Sequence, residues 1–118
     1  MHQEAVDSGR LSELAQLGGD AFVDEVVAAF LRDGEQRFAA LRTAAERGDA
    51  AAWTREAHTL KSAAAGVGAD GLRRLLQAVE HAGVDGRPYP AADVALAAAE
   101  WSRVRTWFAR RPRPRGAV

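Results

Sequence analysis

A chain of 118 residues has room for one domain around one core. Its 16 Lys and Arg offset 16 Asp and Glu, so no net field argues for a nucleic-acid partner. The absence of cysteine excludes disulfides, thiol catalysis and cysteine-bound metals. Alanine dominates, and no run of alternating β-branched residues suggests a strand. No apolar run approaches the roughly 20 residues of a membrane span. The start, Met1 to Asp7, is polar and acidic, unlike a signal peptide. A cytoplasmic location without membrane insertion is expected.

Residues 1–7 carry no periodic pattern and are expected to be flexible. Asp7 or Ser8 can cap a short helix in which Leu11, Leu14, Ala15 and Leu17 share a face, and Gly18-Gly19 stops it. Asp20 is placed to cap a long helix with Val23, Val27, Phe30, Gly34, Phe38, Leu41 and Ala45 on one stripe. Gly34 falls on the apolar face, where a mid-helix glycine marks either a break near 33–35 or a close helix contact. Gly48 ends this helix. Asp49 caps the next almost at once, and so short a link implies an antiparallel neighbour. That helix spans roughly 50–66. Asp70 starts a further helix with Leu72, Leu75, Leu76 and Val79 buried and Gly83 as its stop. Residues 83–89 read as loop. Pro90 suits the first turn of a last helix with Val94, Ala97, Trp101, Val104 and Phe108 inward. Trp53 and Trp101 fit the core stripes, and Trp107, one position off Phe108, is expected at the edge. The Arg/Pro tail, 112–118, cannot bury apolar surface and reads as disordered. The expected architecture is all-α, an antiparallel four-helix bundle over residues 8–111 with a short extra N-terminal helix.

The helix over 50–66 has two faces. Trp53, Ala57, Leu60, Ala64 and Val67 form a core stripe at helical spacing. His58 lies about 100° around from Ala57. With Lys61, Ser62 and Ala65 it makes a second stripe, turned away from the core.

Few other residues offer chemistry. His2, His58 and His81 are far apart in sequence, and no H-E-x-x-H or paired E-x-x-H set appears, so no metal site is expected. His81 sits at a helix end, where a cation suits the helix dipole. No serine has a nucleophile-elbow context. Gly66-x-Gly68-x-x-Gly71 matches a dinucleotide-binding string, but no strand precedes it, so it reads as a helix–helix turn. With no phosphate-binding loop, the chain has no ATP site and requires no cofactor.

An exposed neutral imidazole is a competent nucleophile near pH 7. A phosphoryl group on His58 would place dianionic charge on the helix surface, and Lys61, one turn on, can lean back to offset it. Ser62 and Ala65 are small enough to let another protein bring its active site close. Set against this, an exposed helical histidine usually has no function, and a His/Lys pair at this spacing arises often by chance.

The string Ala57-His58-Thr59-Leu60-Lys61-Ser62, followed by Val67-Gly68-Ala69, resembles the histidine-containing phosphotransfer (HPt) domains. Upstream, Leu17-Gly18-Gly19-Asp20 before Phe22-Val23 and the Gly48-Asp49 turn match as well. The resemblance covers about residues 10–83 and extends to the last helix in pattern only. It implies a four-helix bundle that relays phosphoryl groups between receiver-domain aspartates in two-component pathways. His58 would be the phosphoacceptor and Lys61 the supporting cation. Ser62 departs from the glycine often found there. A receiver domain, of a hybrid sensor kinase or a response regulator, would dock on the His-bearing helix and the adjacent long helix, meeting Thr54, Arg55, Thr59, Ser62 and Ala65. A monomer is the default for a carrier that presents one face. Two other readings stand beside this one. One is a non-phosphorylated bundle that binds a receiver or scaffold. The other is an adaptor using Arg103 to Arg115 on nucleic acid or membrane, although the rest of the chain is not basic.

Overall fold

The structure, a computed structural model, describes residues 4–84 and 91–111. Four helices follow in order: α1 (Ser8–Arg47), α2 (Ala50–Gly66), α3 (Asp70–Val84) and α4 (Ala91–Arg110). No strand occurs among the described residues. Each helix packs against its neighbour in sequence, and α4 closes the bundle on α1. The loop expected over 83–89 falls mostly outside the described residues, as do Pro90 and the tail 112–118.

The local chemistry sets the helix ends. Asp7 caps α1 by accepting the Gly9 N–H at 2.9 Å. Gly48 leaves α1 in the left-handed conformation (φ 64°), and Asp49 accepts the Ala52 N–H at 3.0 Å to start α2. Each such cap is worth about 1 kcal/mol. The short and long N-terminal helices join into one element with a break at Gly19, whose φ of 82° and ψ of 179° leave the helix. Gly19 therefore occupies the cap position expected of Asp20, which lies one residue further in and is exposed.

Gly34 marks a close contact and not a break. α1 stays helical through it, and a Cβ there would fall inside the Trp101 indole. Trp101 lies across this gap, edge-on to Phe30 with centroids 5.3 Å apart, and donates its Nε1–H to Glu35 at 2.9 Å. Gly83 acts similarly. It is the last residue but one of α3, and a Cβ there would strike Trp53 and Thr54.

The core stripes run as the periodicity requires. Trp53, Leu41, Leu60, Leu72, Leu76, Val79 and Val104 are fully buried. Burying each aliphatic side chain contributes roughly 1.5–3 kcal/mol. Leu17 is a correction: expected on the buried face, it is 81% exposed. It lies six residues after Leu11, about 120° around the helix, and the Gly18-Gly19 break ends the packing beside it. Of residues 1–7, expected to be flexible, the structure describes only those from residue 4 on. Within the described part, Ala5 and Val6 are buried and the Asp7 N–H donates to the Gly68 carbonyl at 2.8 Å. Trp107 is half-buried, with its Nε1–H on Glu4 at 3.0 Å.

Candidate functional site

The site is built by α2 and α3. Trp53, Ala57, Leu60 and Ala64 are all within 1% of complete burial, which fixes the rotation of α2 and turns His58 outward. The Trp53 Nε1–H donates to the Val79 carbonyl at 2.7 Å, and Gly83 lets the same indole sit directly against α3. These two contacts set the α2–α3 register. They place Glu80, the residue after Val79, opposite His58.

The geometry is a three-residue cluster. The His58 ring is 59% exposed, and its Nδ1 lies 2.9 Å from Glu80 Oε2. Lys61 Nζ lies 2.6 Å from Glu80 Oε1, an ion pair set off the direction of a well-aligned hydrogen bond. Burial by itself pushes the Glu80 carboxyl up. Its contacts with Lys61 and His58 more than offset this and hold it below the ordinary value. Glu80 is therefore ionised at neutral pH and can only accept. The hydrogen between it and the ring then belongs to Nδ1, so the neutral imidazole carries its lone pair on Nε2.

A groove of about 510 Å³ opens beside the ring, between the start of α2 and the end of α3. Thr54, Arg55 and Thr59 line it with His58, Glu80 and Gly83. Thr54 and Thr59 are partly buried, and the Thr59 hydroxyl is occupied on the Arg55 carbonyl at 3.0 Å. Ser62 and Ala65 are exposed further along α2 and lie outside the groove. On the α1 side, Arg37 bonds Glu56 at 2.8 Å.

Glu80 is the residue that sequence reasoning missed. The signal was available. The turn around Gly68 folds α3 back on α2, with His58 ten residues before it and Glu80 twelve after. Each is one position off a core residue, Ala57 and Val79. Gly66-x-Gly68-x-x-Gly71 is indeed that turn: Gly68 has φ 81°, and the Ala69 N–H reaches back to the Ala64 carbonyl at 2.9 Å.

An exposed imidazole with one nitrogen held by a carboxylate and the other open, on a bare helical bundle, is the arrangement of a group carrier. The comparisons agree with that class. Residues 25–107 match the Hpt domain. The chain belongs to the Hpt domain family, whose members carry phosphoryl groups on histidine in two-component phosphorelays and interact with receiver domains. The fold is that of a crystal structure of histidine-containing phosphotransfer protein B (HptB) from Pseudomonas aeruginosa PAO1. The TM-score is 0.84 at 24% identity, covering 92% of this chain and 95% of that one. No curated protein matches this chain in sequence. Among the described residues, no helix is long and apolar enough to cross a membrane.

Proposed function

We propose that His58 is the phosphoacceptor of this domain, reacting through Nε2. The contact that carries the reading is the 2.9 Å approach of Nδ1 to Glu80 on an otherwise exposed ring. In the forward step the Nε2 lone pair attacks the phosphorus of a receiver's aspartyl phosphate. The N–P bond forms, the acyl O–P bond breaks, and the receiver's carboxylate leaves. The ring becomes cationic with its proton on Nδ1, and the Glu80 carboxylate stabilises that charge. The reverse step hands the group to a second receiver.

Lys61 is the supporting cation in this scheme, one helical turn from the ring. Its ammonium is shared with Glu80, so the incoming phosphoryl group and the carboxylate compete for it. Thr54, Arg55, Thr59, Ser62 and Ala65 form the surface on which a receiver of a hybrid kinase or a response regulator docks. The domain acts as a cytoplasmic monomer and has no ATP site of its own.

The test is incubation with a phosphorylated receiver domain. The wild-type protein takes up acid-labile label and His58→Gln takes up none. Equal labelling of the two, or none in the wild type, returns the bundle to a role in binding alone.

A further inference from the structure

Successive residues of α2 turn by about 100°. Measured from His58, Thr54 and Lys61 therefore fall to one side, and Arg55 and Ser62 to the other. The first side faces α3: Lys61 Nζ lies 2.6 Å from Glu80 Oε1, and a Cβ on Gly83 would strike the Thr54 hydroxyl. Glu80 holds His58 Nδ1 on that side at 2.9 Å. Nε2, at the opposite edge of the ring, is turned toward the side of Arg55 and Ser62. Of these two, Arg55 shares the ring's groove. Side chains on a helix lean toward its N-terminus, so the His58 ring covers the turn that holds Arg55, and both residues line the groove of about 510 Å³. Ser62 lies one turn further on and outside it. Charge points to the same residue. Glu80 is shared between Lys61 and His58. Glu56 accepts from Arg37 at 2.8 Å. Arg55 Nε reaches only the other Glu56 oxygen, at 3.7 Å, with its side chain 66% exposed. No closer anion meets Arg55 among the described residues. Around a neutral ring, Lys61, Arg37 and Arg55 thus stand against two carboxylates, and the surplus charge is that of Arg55.

We propose that Arg55 is a catalytic cation of the transfer, its guanidinium holding the phosphoryl oxygens as the group passes to and from His58 Nε2. This rests on the reading of His58 as the phosphoacceptor. A phosphoryl group on Nε2 brings dianionic charge to the helix surface. Lys61 divides its ammonium between that group and Glu80, so the undivided charge comes from Arg55. A guanidinium suits the task, because its planar fork meets two phosphoryl oxygens at once. Leaving Glu56 costs Arg55 little, since an exposed contact of 3.7 Å is weak and Glu56 keeps Arg37.

The test gives the full chain two phosphoryl donors. One is a phosphorylated receiver domain. The other is phosphoramidate, whose own N–P bond breaks and releases ammonia as the bond from Nε2 to phosphorus forms. Phosphoramidate has no docking surface, so it reports on the phosphoryl contact alone. Arg55→Gln slows labelling of His58 roughly two- to five-fold with either donor, the range of an exposed ion pair. Arg55→Lys keeps most of the wild-type rate. The phosphorus NMR signal of the labelled ring moves in Arg55→Gln, whereas the ring nitrogen signals before transfer match the wild type, which a loss of structure would not allow. Wild-type rates and an unmoved phosphorus signal in Arg55→Gln overturn the proposal and leave His58 as the acceptor. Slowing confined to the receiver also overturns it, because Arg55 is then a docking residue only. A wild-type chain that neither donor labels overturns the reading of His58 and this proposal with it.

Discussion

Replacing Glu80 with Gln keeps the size of the side chain and removes its charge. A hydrogen bond to a charged acceptor contributes about 1.5–3 kcal/mol, against roughly 1 for a neutral one. The difference is about 0.5–2 kcal/mol, and with the His58 ring 59% exposed the lower half applies, a loss of about 0.5–1 kcal/mol. That loss falls on the ring protonated at Nδ1, the form that reacts at Nε2 and the form left after transfer. At about 1.36 kcal/mol per tenfold, uptake of phosphoryl should slow roughly two- to five-fold. The assay is single-turnover transfer from a phosphorylated receiver at neutral pH, with nitrogen NMR of the His58 ring alongside. The wild-type ring should hold its hydrogen on Nδ1, and the variant should populate the other tautomer. A rate within two-fold of wild type, with the ring tautomer unchanged, would refute the role given to Glu80.

The remaining predictions concern the frame around the site. Gly34→Ala puts a methyl into the Trp101 indole; overpacking of about 1–3 kcal/mol, less about 1 gained in helix propensity, leaves a net loss near 1 kcal/mol in chemical denaturation. Trp53→Phe removes the 2.7 Å bond to the Val79 carbonyl and leaves part of the buried indole's space unfilled, so stability should fall by about 1–3 kcal/mol. It should also disturb the His58–Glu80 approach, visible as altered ring signals. Glu80 itself should show in the acid limb. Its folded carboxyl lies below the ordinary 4.5, so its contribution is present above that pH and disappears as pH falls through the folded value. The stability difference between wild type and Glu80→Gln should therefore shrink on acidification in urea titrations from pH 7 to pH 3. A difference that stays constant contradicts the assignment.

Much of the fold was legible because single residues carried it. Asp49 and Gly48 announced the α1–α2 turn, and the Trp53-to-Val67 stripe fixed which way α2 faces. That stripe alone turned His58 and Lys61 outward. What stayed hidden depends on contacts between helices. Gly34 read as either a break or a close helix contact, and Gly83 as a helix stop. At each, an indole from another helix needs the room, and no periodicity within one segment says which residue fills it. Leu17 obeyed the helical count loosely but lost its partner surface at the Gly18-Gly19 break. Lys61 was legible as a cation near the ring, yet its pairing with Glu80 was not. That pairing comes from α3, through a register set by Trp53 and Val79. The site read from α2 alone was thus a histidine and a lysine. Folded, it is a histidine and a lysine sharing one carboxylate.

The most direct test of the account is to locate the phosphoryl group itself. The protein would be phosphorylated by a receiver domain and studied by phosphorus–nitrogen correlated NMR under alkaline conditions, where phosphohistidine survives. The account predicts one phosphohistidine, at His58, with phosphorus bonded to Nε2 and hydrogen on Nδ1. Phosphorus on Nδ1, on His81, or on no histidine would contradict it.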